Sequence, residues 1–168
     1  MSLKEIDGEK DSLVDVIKIK KNRDILIYTQ NGMALRFNTK EIPLTLRMST
    51  GVIGIKLDDD DKVLGLHLIK PKKKYLVILT NKGNGKKIKI EKLGESTRAG
   101  NNYKLIALDS KEKILDTVQC DDSDIISILF NNRIDEFNCD DIKVSTKIAK
   151  GKKITSCKRG EQIIGLSV

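Results

Sequence analysis

One unit is written three times along this 168-residue chain, at a spacing of about fifty residues, and its opening strand is written a fourth time. Ile25-Leu26-Ile27 returns 51 positions later as Leu76-Val77-Ile78, and 49 positions after that as Ile125-Ile126-Ser127. The same offsets carry Gly32 onto Gly83 and Asn132, Phe37 onto Ile88 and Phe137, and Leu57 onto Leu108 and Cys157. A period of this length marks supersecondary units that are each too small to bury an apolar face alone and must stack or circle a centre. The opening element occurs as Leu13-Val14-Asp15-Val16, Val63-Leu64-Gly65-Leu66, Ile114-Leu115-Asp116-Thr117 and Ile163-Ile164-Gly165-Leu166. Four openings against three units leave two arrangements: the first strand completes the last unit, or the chain is an excerpt of a longer array. The excerpt is the expectation, with residues 1–11 an added start or linker.

Strand chemistry dominates. Ile, Val and Leu runs alternate with turn signals such as Asn31-Gly32 and Lys82-Gly83, and Asn131-Asn132 fills the same place in the third unit, where Asn is the other residue tolerant of a left-handed turn. The expectation is an all-β fold of about three four-stranded blades. Their strands fall near 12–19, 24–29, 33–38 and 52–57; 62–69, 75–80, 86–90 and 103–108; and 113–119, 124–130, 133–138 and 152–158. The units are then 12–61, 62–112 and 113–161, with an extra strand over 162–168, and only short helical turns near Thr39–Ile42.

The net charge of +8 is concentrated. Residues 70–104 hold 11 basic and 2 acidic side chains, whereas residues 1–69 hold 11 of each. Clustered cations in one unit of an otherwise neutral repeat point to a polyanion, because Lys and Arg release condensed counterions from phosphates. Aromatic content is 4% without Trp, and Phe37 and Phe137 share one core position, so no stacking platform for single strands is evident. Double-stranded DNA held through its phosphates is the expected partner, and an acidic protein bound by a β-repeat scaffold is the alternative. The candidate contacts are Lys72, Lys73, Lys74, Lys82, Lys86, Lys87, Lys89, Arg98 and Lys104, joined by Arg47 and Lys147. In 86–90, Ile88 and Ile90 should face inward, with Lys87 and Lys89 outward.

No constellation for catalysis appears, and no cofactor or metal is expected. His67 reads as a half-buried strand residue, and Asp58-Asp59-Asp60-Asp61 as an exposed turn without metal-loop spacing. Cys120, Cys139 and Cys157 contain no C-x-x-C pair; Cys120 and Cys157 fall on apolar repeat positions, so buried, reduced thiols and a cytoplasmic protein are expected. No apolar run has the length of a membrane-spanning helix.

The stretch Asp24-Ile-Leu-Ile-Tyr-Thr-Gln-Asn-Gly-Met-Ala-Leu-Arg-Phe37, with Arg47-Met-Ser-Thr-Gly-Val-Ile-Gly-Ile-Lys-Leu57, resembles a blade of the C-terminal domain of type IIA topoisomerase A subunits, those of DNA gyrase and topoisomerase IV. Tyr75 to Lys87, with Thr-Asn-Lys-Gly-Asn-Gly-Lys-Lys, is similar to the following blade. The resemblance implies a β-pinwheel whose blades exchange strands and bend DNA around a basic outer rim. It also implies as partners the remainder of the A subunit, together with the ATPase B subunit, where the supercoiling or decatenation chemistry would lie. The family's loop of a basic residue, three residues and Gly maps onto Arg47 with Gly51, Arg98 with Asn102, and Lys147 with Gly151. Gyrase's glutamine-arginine-glycine-rich box is absent; the nearest stretch is Glu95-Ser-Thr-Arg-Ala-Gly-Asn-Asn102.

Overall fold

A computed structural model describes residues 5–6, 9–10, 12–46 and 49–168. After a two-residue ladder of β1 (Glu5–Ile6) with β2 (Glu9–Lys10), each repeat contributes a central antiparallel hairpin. The hairpins are β3 (Asp24–Thr29) with β4 (Met33–Asn38), β6 (Tyr75–Thr80) with β7 (Asn84–Lys89), and β10 (Ile125–Phe130) with β11 (Ile134–Asn138). Every hairpin takes its remaining strands from the repeat that follows it. β5 (Val63–Leu68) and β8 (Tyr103–Lys104) flank the first, giving the order β5-β3-β4-β8. β9 (Ile114–Cys120) and β12 (Lys152–Lys153) flank the second, and β13 (Ile163–Ser167) alone joins the third. The architecture is all-β, a pinwheel with, among the described residues, two four-stranded blades and one three-stranded blade.

The exchange follows from the repeat pattern. The opening strands Val63–Leu68, Ile114–Cys120 and Ile163–Ser167 have no partner within their own repeats and pair antiparallel with the preceding hairpin, packing apolar side chains against it. Leu26, Leu76, Ile78, Ile88, Leu105 and Ile106 then form a core spanning blades 1 and 2. Val77, Leu79, Ile126, Ile128 and Phe130 do the same for blades 2 and 3. A 3-10 turn follows each outer hairpin strand, at Thr39–Glu41, Ile90–Lys92 and Cys139–Asp141.

Two of the differences from expectation share a cause. Residues 12–19 and 52–57 form no strand, and Leu13 and Val16 are exposed. These are the two segments whose preceding hairpin is missing among the described residues. Gly32 and Gly83 take positive φ (86° and 75°), but Asn132 does not; the third turn is closed instead by the Phe130 N–H donating to Arg133 O. Cys120 and Cys139 are not free thiols: they meet in the second core as a disulfide. Their repeat counterparts Ile69 and Ile90 likewise belong to one core. Cys157 is exposed, as is its counterpart Leu57, so an apolar repeat position did not imply burial there. The expectation of a reduced compartment loses that support. No helix among the described residues is long and apolar enough to cross a membrane.

Candidate nucleic-acid interface

The lysines of the second repeat divide by what their ammonium groups touch. Lys86 and Lys87, expected as contacts, are 1% and 2% exposed. Lys86 Nζ donates to the carbonyl oxygens of Leu105 (2.8 Å), Lys147 and Ala149 (2.9 Å), and burial lowers its pKa to about 8. Lys87 Nζ donates to Cys139 O (2.7 Å), lies 3.5 Å from Asp140 and sits 4.5 Å from the centre of the Tyr75 ring. Both are joints between repeats, closed over by the incoming third repeat. That cover defeats the alternation read from 86–90.

Lys73 pairs with Asp124, and Lys74 lies 3.1 Å from both Asp121 and Asp122, whose hydrogen bonds raise its pKa. Lys89 is exposed with Glu91 3.7 Å away. Arg98 braces a loop of the first repeat: Nε donates to Glu41 O (3.1 Å), Nη1 to Ile53 O (2.6 Å), and its backbone N–H to the Glu41 carboxylate. Lys147 is half-buried, with Nζ 4.7 Å from the centre of the Tyr103 ring. Arg47 lies outside the described residues.

Lys72, Lys82 and Lys104 remain exposed and, among the described residues, pair with no carboxylate, although Lys82 Nζ donates to Ser110 O (2.8 Å). Strand exchange adds two that the charge count missed. Lys152 and Lys153 belong to the third repeat but pair with Gly85 and Asn84 on the edge of blade 2, and Lys153 Nζ donates to Lys82 O (2.6 Å). Lys104, conversely, sits on the edge of blade 1 opposite Met33. The signal was available in the repeat register, because Lys104 and Lys153 are 49 positions apart. Flexible, strongly hydrated ammonium groups with no acidic partner suit phosphate oxygens and carry no base-reading geometry.

The other singled-out residues serve the frame. His67 Nε2 lies 2.7 Å from Thr117 Oγ1, and its ring stacks on Tyr28 at 5.4 Å; burial lowers its pKa. Asp58, Asp59 and Asp60 are exposed, but Asp61 is buried, with Oδ1 accepting from the Asn31 N–H, as Glu112 is buried one repeat later. Among the described residues no group of three or more His, Cys, Asp or Glu is placed to hold a metal ion.

A family model described as the DNA gyrase C-terminal domain, beta-propeller, matches residues 23–70, 74–121 and 137–168. The DNA gyrase A subunit of Metamycoplasma arthritidis is 30% identical over 161 residues, covering 95% of this chain and 18% of the relative. That of Haloquadratum walsbyi is 36% identical over 94 residues, covering 55% of this chain and 11% of the relative. Among solved structures, the C-terminal domain of a DNA topoisomerase IV matches with TM-score 0.77 and 24% identity, covering 86% of this chain and 46% of that one. A DNA gyrase A C-terminal domain matches with TM-score 0.79 and 22% identity, covering 89% and 51%. The chain thus spans under a fifth of those gyrase subunits and about half of those solved domains.

Proposed function

The chain belongs to the DNA gyrase C-terminal domain family, and from that membership we propose that it binds and bends duplex DNA as a non-enzymatic module of a type IIA topoisomerase A subunit. The observation that carries this is the set Lys72, Lys82, Lys104, Lys152 and Lys153, all exposed and, among the described residues, without a carboxylate partner, Lys82 and Lys153 each donating to one carbonyl oxygen only. Phosphates passing the turn side of blade 2 meet Lys82 and Lys153 together, and the next strand edge offers Lys104. Bending a site of a few helical turns costs on the order of 1–6 kcal/mol, offset by the contacts that curvature adds. The proposed partners are the rest of the A subunit, with an ATP-hydrolysing B subunit, in the cytoplasm, and that assembly performs supercoiling or decatenation.

Fluorescence anisotropy with labelled duplex tests this. Replacing Lys72, Lys82, Lys104, Lys152 and Lys153 by Glu should weaken duplex binding at low salt by more than about a hundredfold, since each phosphate contact adds a counterion-release term. Unchanged retention of duplex by that variant overturns the reading and favours a scaffold for an acidic protein.

A further inference from the structure

Of the exposed lysines without a carboxylate partner, Lys72 stands apart from the rest. Lys82 lies in the turn between β6 and β7, Lys152 and Lys153 pair beside that turn with Gly85 and Asn84, and Lys104 pairs with Met33, which opens β4. All of these sit at the hairpin-turn end of the blades. Lys72 precedes β6, in the stretch Lys70-Pro71-Lys72-Lys73-Lys74 that leads from β5 into the second hairpin. The length of β6, six residues and so about 20 Å, separates it from Lys82.

This leading turn recurs, and its charge changes sign along the chain. Lys20-Lys21-Asn22-Arg23 leads into the first hairpin, and Asp121-Asp122-Ser123-Asp124 into the third. Between the second and third repeats the turns meet base to acid. Cys120 pairs with Tyr75, and the residues just beyond them, Asp121 and Lys74, lie 3.1 Å apart, with Asp122 also at Lys74 and Asp124 on Lys73.

Between the first and second repeats the same turns meet base to base. The Ile69 N–H donates to Asp24 O (2.8 Å), and the residues just beyond this bond are Lys70 and Arg23. Lys18, Lys20, Lys21 and Arg23 line a cleft with Leu68, and no acidic side chain stands in its wall. Lys20, Lys21, Arg23, Lys70 and Lys72 are exposed, and among the described residues none pairs with a carboxylate. Asp24 and Ile69 are joined inside blade 1, so the meeting of like charges is fixed by paired strands. Like charges held opposite one another are unfavourable until an anion lies between them. Where the third repeat supplies carboxylates, the first joint leaves the place to an anion from outside.

We infer that this leading-turn face is a second phosphate-binding surface, which takes a duplex segment separate from the one held at the hairpin-turn end. The second segment presupposes the duplex binding proposed above, because DNA held at one end of the blades presents its other stretches to the opposite end at high effective concentration. Arg23 offers a fork to phosphate oxygens, and the lysines offer point charges. Asp121, Asp122 and Asp124 close the surface at the next joint, standing on Lys73 and Lys74 in the place of phosphates.

Native mass spectrometry of the 168-residue chain with excess blunt duplex of about 15 base pairs, a tenth of the persistence length, counts the segments held. One chain should carry two duplexes, the second bound more weakly. Lys20→Glu, Lys21→Glu, Arg23→Glu and Lys70→Glu together should leave one duplex on the chain; all four positions are exposed, so the fold is kept. Asp121→Asn with Asp122→Asn and Asp124→Asn releases Lys73 and Lys74, and should steepen the salt dependence of the second binding step by about two. At most one duplex on the wild-type chain, two still on the four-fold variant, or an oligoglutamate peptide held by these four residues while no second duplex binds would each overturn the second surface alone. A wild-type chain that binds no duplex at all would overturn the proposed function with it.

Discussion

Lys86 holds three carbonyl oxygens of two following loops with one ammonium, at a position that is Leu35 in the first repeat and Asp135 in the third. Lys86→Met removes the ammonium donor from all three, leaving Ala149 O only the long bond from the Ala107 N–H (3.4 Å), and should lower unfolding stability by about 1–3 kcal/mol in urea melts. Duplex affinity of the folded protein should stay within about twofold, because the group contributes no counterion release. Burial lowers this lysine's pKa from 10.5 to about 8, so between those values the unfolded chain binds the extra proton and stability rises with pH. Melts at about pH 8 and about pH 10 should show that rise in the wild type and its loss in Lys86→Met. Gly83 makes a different demand: at φ 75° an added Cβ would lie 2.3 Å from Thr155 O. Gly83→Ala should therefore destabilise by more than the roughly 1–2 kcal/mol that the left-handed backbone alone exacts, read as a fall in thermal midpoint. The Asn31-Gly32 and Lys82-Gly83 turns were legible as such. The fate of each lysine was not, because whether an ammonium faces water or a carbonyl depends on the repeat that folds over it.

The hairpin strands are the elements the sequence announces best. Asp24–Thr29, Met33–Asn38 and Tyr75–Thr80 fall where alternation and turn residues place them, since both partners lie within a few residues of each other. The exchanged elements are harder. The segments 103–108 and 152–158 shrink to the pairs Tyr103–Lys104 and Lys152–Lys153, and 52–57 forms none, because their extent is set by a hairpin fifty or more residues away. Arg36 fixes one such union: it pairs with Asp24 and Glu95 and donates to Ile90 O and Leu93 O, with its side chain 13% exposed. Arg36→Met should cost about 3–5 kcal/mol, as expected when a largely buried ion pair loses one member. Arg36→Lys should recover only part, since an ammonium cannot reproduce the fork to Asp24 and the two carbonyls. Denaturant midpoints of the three proteins, at an unchanged slope, check this ordering.

At the scale of the molecule, the period made the pinwheel legible, whereas the position of the surplus charge was displaced by strand exchange. Charge counted by repeat places Lys104 in the middle unit and Lys152 and Lys153 in the last; in space they lie on blades 1 and 2. With about five exposed lysines engaged, the logarithm of duplex affinity should fall against the logarithm of salt with a slope near −4 to −5. Restoring one glutamate of the five-fold variant to lysine should steepen the residual slope by about one. The same borrowing bears on synthesis. Blade 1 needs Tyr103–Lys104 and blade 2 needs Lys152–Lys153, so each hairpin must leave the ribosome and wait for most of another repeat before its sheet is complete. Domains that form from the N-terminus onward during translation do so unit by unit. Here the nascent chain always trails one unfinished blade with a bare strand edge.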